Sequence, residues 1–156
     1  MRQENRYSNG IRLLELAIVV VLIGVLATLG INRIMALQRE ARLILVDGFE
    51  QSLRLSAQLV YLQSSAVGEL HNTHYRLQPF ADRPEIWIEV MYGYPRADNT
   101  KNITQLFDEL SSRWLIDSEG TQIRARVNGI DDCAVLYRPP ERPGGSMTLE
   151  KQLAGC

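Results

Sequence analysis

Sixteen residues from Leu16 to Ile31 read LAIVVVLIGVLATLGI, and Thr28 is the one clearly polar side chain among them. Extended back to Leu13, the run is nineteen residues long with a single charge, Glu15. As a helix, nineteen residues span about 28 Å, close to the roughly 30 Å hydrocarbon core of a bilayer. Val and Ile are poor helix formers in water, but in lipid a helix is how a lone segment satisfies its own backbone groups. The run predicts a retained membrane helix. A buried core helix and a cleaved secretory signal are the alternatives. A secretory signal carries a shorter apolar region and a small-residue exit site, and Ala27-Thr28-Leu29-Gly30 is a poor one. Arg2, Arg6 and Arg12 precede the run and Arg33, Arg39 and Arg42 follow it, so counting cations leaves orientation tied.

Glu15 does not fit its surroundings. A carboxylate in apolar surroundings needs a cationic partner, and Arg12 stands three residues earlier on the same helical face. An interfacial Arg12–Glu15 pair reaching back to water is the plain reading. The order Gly10-Ile11-Arg12-Leu13-Leu14-Glu15-Leu16 supports a sharper one. It resembles the N-terminal signature of type IV pilins and pseudopilins. The resemblance implies a leader over 1–10, cut after Gly10 on the cytoplasmic side by a prepilin peptidase that methylates the new Ile11 amine. It also implies a transmembrane helix over 11–32, an inner-membrane location with a periplasmic head, and later incorporation into an extracellular pilus. Glu15 of one subunit would neutralise the Ile11 amine of another, with Arg12 sharing the carboxylate. Implied partners are other pilin subunits, the peptidase, the inner-membrane assembly platform and the membrane itself. The chain departs from the family pattern in three places. Ile11 stands where Phe or Met is common, Arg12 where Thr is usual, and Asn32 where Pro is frequent. The last two lean toward a minor, assembly-initiating subunit.

Apolar periodicity continues past the run. Ile34, Leu37, Ala41, Leu45, Phe49, Leu53, Ala57 and Val60 recur every three or four residues, and no Pro occurs before Pro79. This predicts an amphipathic continuation of the helix over 33–67, ending near Ser64, Ser65 and Gly68. A globular head over 68–156 is expected to follow. Ile86, Ile88 and Val90 alternate within Glu85–Met91, Gln122–Val127 and Ala134–Tyr137 read as strands joined through Asn128-Gly129, and Ser146–Gln152 reads as a last strand. Tyr92-Gly93-Tyr94-Pro95 is a turn, and Thr104–Trp114 reads as a short helix. The expected fold class is α+β, a long helix packed on a small antiparallel sheet as in type IV pilins.

The export implied by the resemblance also bears on the two cysteines. Two unrelated thiols are one reading. An even pair in an exported domain more often bonds. A Cys133–Cys156 bond would contribute about 3 kcal/mol by loop-closure entropy. Many type IV pilins have such a loop and most secretion pseudopilins lack it. The segment Val90-Met91-Tyr92-Gly93-Tyr94-Pro95 with the cysteine pair is also similar to pilins of the mannose-sensitive haemagglutinin system.

Other chemistry is thinly represented. A net charge of −1 argues against a dedicated nucleic-acid binder, and none is expected as a partner. His71 and His74 suggest a solvated turn rather than a zinc site. Asp117-Ser118-Glu119-Gly120 and Asp131-Asp132 are acidic, but their spacing does not resemble a calcium loop. Asn102-Ile103-Thr104 matches the glycosylation triplet, which is common by chance. No phosphate loop, nucleophile elbow or dinucleotide fingerprint occurs, so no catalytic residue, cofactor or metal is assigned. The reading is a pilus subunit serving adhesion, motility or assembly, not an enzyme. A type II secretion pseudopilin is the alternative, and a signal-anchored periplasmic binding domain or enzyme is the alternative of another class.

Overall fold

A computed structural model describes residues 4–107 and 110–156, with the side chains of 4–11, 27 and 29–32 outside the description. The protein is α+β, and the described residues form one long helix, one short helix and two antiparallel sheets. It divides into two compact units, residues 1–40 and 41–156.

The long helix α1 runs Glu4–Ala66. Its end is a Schellman cap. Gly68 takes a positive φ of 79°, its N–H donates to Ser65 O, and the Glu69 N–H reaches back to Ser64 O at 2.9 Å.

The described residues of the first unit all belong to α1, and every side chain described between Arg12 and Glu40 is exposed. Among the described residues no helix is long and apolar enough to cross a membrane. This overturns the transmembrane helix expected over 11–32, and with it the single-pass inner-membrane location. The described, uninterrupted apolar stretch is Leu16–Leu26, eleven residues or about 16 Å of helix. That is near half of a hydrocarbon core of roughly 30 Å. Arg12 and Glu15 close its N-terminal side. Residues 27 and 29–32, on which the rest of the expected span fell, lie outside the described side chains.

In the second unit α1 buries one stripe, Val46, Phe49, Leu53, Ala57, Val60 and Ser64, at spacings of three and four. The periodic face read from the sequence begins earlier than the burial does. Ile34, Leu37 and Ala41 are exposed and Leu45 is half-buried.

Two sheets, not one, complete this unit. The first joins β1 (Tyr75–Leu77), β2 (Ile88–Met91) and β3 (Tyr94–Pro95) in the order β1-β2-β3. The β2–β3 connection is a two-residue turn with positive φ at both Tyr92 (51°) and Gly93 (86°), the geometry that matches strand twist. A side chain at 93 would also strike Leu70 and Tyr61, at 2.7 and 2.8 Å from its Cβ. The second sheet is a meander of β4 (Trp114–Glu119), β5 (Gln122–Val127), β6 (Ala134–Arg138) and β7 (Thr148–Gln152). Ile123, Ala125 and Val127 face inward from β5, while Arg124 and Arg126 alternate with them.

The helix expected over 104–114 is instead α2, Lys101–Thr104, and Trp114 opens β4. Residues 108 and 109 of that expected helix lie outside the description. Its apolar residues plug the core rather than lining a helix face. Phe107 and Trp114 both stack on Phe49, with ring centroids 5.3 and 4.2 Å away. One core therefore joins the α1 stripe, Leu77, Ile88 and Val90 of the first sheet, and Ile123, Val127, Val135 and Tyr137 of the second. The fully buried Tyr137 hydroxyl donates to Pro95 O at 2.7 Å and ties the two sheets together.

Candidate functional site

The residues singled out in the N-terminal segment stand on one helical stretch. Gly10 and Ile11 have helical backbone, and their side chains lie outside the description. Arg12 and Glu15 are both exposed and line a shallow concavity with Leu16 and Val19. Among the described residues no ion pair joins Arg12 to Glu15. Around them the surface is apolar. Eleven large side chains are exposed between Leu13 and Leu26, from Val19 at 48% to Leu13 at 70%. Helical geometry produces this directly. A run with no polar residues has no face to turn toward water.

The second unit carries a clamp at its C-terminal segment. Cys133 and Cys156 form a disulfide with Cα atoms 4.9 Å apart, and both are buried. Gly155 N–H donates to Asp132 O at 2.9 Å, which sets the segment against the start of β6. Two contacts reach α1. Lys151 Nζ donates to Asp47 Oδ1 at 2.7 Å, and Arg42 Nη1 donates to Cys156 O at 3.4 Å. Hydrogen bonding to Asp47 raises the Lys151 pKa above the usual lysine value.

Asp98, Asp117, Glu119 and Asp131 are each paired with an arginine. Arg126 bonds both Asp117 and Asp131, and these bonds hold its pKa above the ordinary guanidinium value. Arg96 holds Asp98 at 2.6 Å, and this hydrogen bond keeps the Asp98 carboxyl below the usual carboxylate range. Among the described residues no group of three or more His, Cys, Asp or Glu converges to hold a metal ion. His71 and His74 are exposed, and His74 Nε2 lies 4.0 Å from Glu89. Asn102 of the glycosylation triplet is 3% exposed, with its Oδ1 accepting the Glu89 N–H and its Nδ2 directed to Arg96 O. It is a structural residue.

Sequence reasoning missed several of these features. Arg126 was invisible because its partners come from β4 and from the turn after β5. The Tyr137–Pro95 bond was invisible because it joins positions in different sheets. Burial, followed by the nearby Tyr94, pushes the Tyr137 phenol well above its ordinary pKa.

No family, no curated protein and no solved structure matches the chain.

Proposed function

We propose that the chain is the precursor of a filament subunit of the type IV pilin kind, cut after Gly10 and polymerised through α1. Its role is structural and interactive rather than enzymatic. The observation that carries the reading is the exposed apolar surface between Leu13 and Leu26. Burying one Leu or Val side chain gains about 1.5–3 kcal/mol, so association of such helices is strongly favoured. Monomeric soluble proteins rarely leave a contiguous patch of this size open.

Non-directional burial does not choose a register, and Glu15 does. A carboxylate enclosed among packed helices is tolerated only with a partner. Cutting after Gly10 releases an α-amine at Ile11, with an unperturbed pKa near 7.7–8.0 and hence largely cationic at neutral pH. Glu15 of one copy facing Ile11 of another therefore rejects misaligned packing. Arg12 is a second cation within reach of the same carboxylate. The partners implied are further copies of the chain, a prepilin-type peptidase and the machinery that adds subunits. The Cys133–Cys156 bond favours a pilus over a secretion pseudopilus.

Intact-mass analysis of the mature protein tests the reading. A chain beginning at a methylated Ile11 is the expected product. A mature chain that keeps its first ten residues, or one cut beyond Leu26, refutes it. Glu15→Ala should abolish filaments while leaving the disulfide and the fold of residues 41–156 unchanged.

A further inference from the structure

On β2 the buried residues are Ile88 and Val90, so Glu89 faces the opposite side and Trp87, one step before the strand, shares its direction. Trp87 is 49% exposed. The register sets Glu89 opposite Arg76 of β1, and the Arg76 Nε lies 3.5 Å from the Glu89 carboxylate. The segment around α2 supplies the other wall, with Asn99, Lys101 and Gln105 across a depression of about 250 Å³. That wall is fixed. Asn102 anchors it to β2 through the Glu89 N–H, and Asn99 Oδ1 accepts the Lys101 N–H at 3.0 Å.

The chemistry of this depression is specific. The half-exposed Trp87 lines it together with three amides (Asn99, Asn102, Gln105), two cations (Arg76, Lys101) and two carboxylates (Glu85, Glu89). Equal numbers of positive and negative groups disfavour a phosphate polymer, whose binding depends on a cationic excess. The polar wall disfavours an apolar small molecule, and the volume falls below the roughly 300–1,000 Å³ usual for drug-sized ligands. A pyranose ring satisfies all three constraints. Its C–H face covers an aromatic ring, and its hydroxyls both donate to carboxylates and amide oxygens and accept from Lys, Arg and amide N–H groups. We propose that the depression between β2 and α2 binds one ring of a neutral saccharide, with Trp87 as the stacking platform and Gln105, Asn99 and Lys101 fixing its hydroxyls. The proposal needs neither cleavage after Gly10 nor polymerisation.

The test uses the full chain in a detergent without a sugar headgroup. Cellotetraose, maltotetraose and a single-stranded oligothymidylate are the probes, read by saturation-transfer NMR and by titration. Saturable binding of at least one oligosaccharide is expected. Trp87→Ala should weaken it about tenfold or more, Trp87→Phe should retain part of it, and Gln105→Ala should weaken it by several-fold. Leu115→Ala, a change in the other sheet, should leave it unaltered. Fluorescence of Trp114 against Phe49 reports that each variant is folded. Absence of oligosaccharide binding at tens of millimolar overturns the proposal. So does binding that Trp87→Phe, Trp87→Ala and Gln105→Ala all leave unchanged, or a preference for the oligothymidylate.

Discussion

Replacing both Cys133 and Cys156 with Ser removes a cross-link between residues separated by 23 positions. Closing a loop of that length costs the unfolded chain about 3 kcal/mol of entropy at 25 °C. The folded side of the balance changes less. Strand β7 keeps its five-residue pairing with β6, from Ala134↔Gln152 to Arg138↔Thr148, and Lys151 keeps Asp47. Residues 153–156 lose their tether, and with it the Arg42 contact to Cys156 O. The expected loss is therefore global stability with the fold retained. With a urea slope of about 2 kcal/mol per M for a unit of this size, the unfolding midpoint should fall by about 1.5 M. Fluorescence of Trp114, stacked 4.2 Å from Phe49, follows the transition. Reducing the wild-type protein should reproduce the shift and reducing the double variant should do nothing. A midpoint that moves by less than about 0.3 M, or that moves only through a changed slope, refutes the reasoning.

Leu53 is fully buried in the α1 stripe, and Leu53→Ala should cost about 2–5 kcal/mol in the same assay. Tyr137→Phe leaves Pro95 O without its donor in a buried site and should cost about 1–3 kcal/mol, with the loss measured by denaturation. Gly93→Ala should be more damaging than Gly120→Ala, since both positions have positive φ but only position 93 lacks room for a methyl; comparative thermal melts decide. The Arg96 hydrogen bond depresses the folded pKa of Asp98, so its stabilisation is present above the ordinary carboxylate value and is lost as pH falls through the depressed one. Asp98→Asn should flatten that acid limb of a stability–pH curve, and an unchanged limb counts against the pair.

The parts of the fold legible in the sequence are those where one residue's face is decided by its near neighbours. Gln122–Val127 is found with its expected bounds because Ile123, Ala125 and Val127 alternate with polar residues, and Asn128-Gly129 turns with positive φ at both positions. Strand β1 was missed because three residues, Tyr75–Leu77, are too few for any period to register. Strand β4 was missed because Trp114, Leu110, Phe107 and Leu106 have helical spacing. Phe107 and Trp114 meet on Phe49 instead, a long-range fact that spacing does not carry. The division into two sheets was illegible for a similar reason. Strand pairing sets β1-β2-β3 apart from β4-β5-β6-β7, and the Tyr137–Pro95 bond that joins the two sheets spans forty-two positions. The Trp87 depression is illegible in the sequence because it needs the β1–β2 register and the α2 wall.

The helix shows the same limit in its sharpest form. Ile34, Leu37 and Ala41 continue the period of Phe49, Leu53 and Ala57, yet the first three are exposed and the last three buried. Period identifies a face and says nothing of what covers it. In residues 41–156 the cover is the two sheets, and burial begins where the chain can reach them. Before residue 41 the same chemistry stays open along the described side chains. A lipid interior and a bundle of identical helices both answer apolar exposure, but they treat Glu15 differently. Lipid offers a carboxylate no countercharge, whereas the proposed bundle would offer the Ile11 amine of a neighbouring copy at every repeat. On the proposed assembly, the exposed Glu15 inside the exposed apolar run sets register between copies, and Glu15→Gln separates the two uses of the surface. Loss of the charge should leave apolar association intact and scramble its register, giving aggregates where the proposed assembly gives the wild type ordered filaments. Ordered filaments formed by Glu15→Gln would mean that packing alone sets the register.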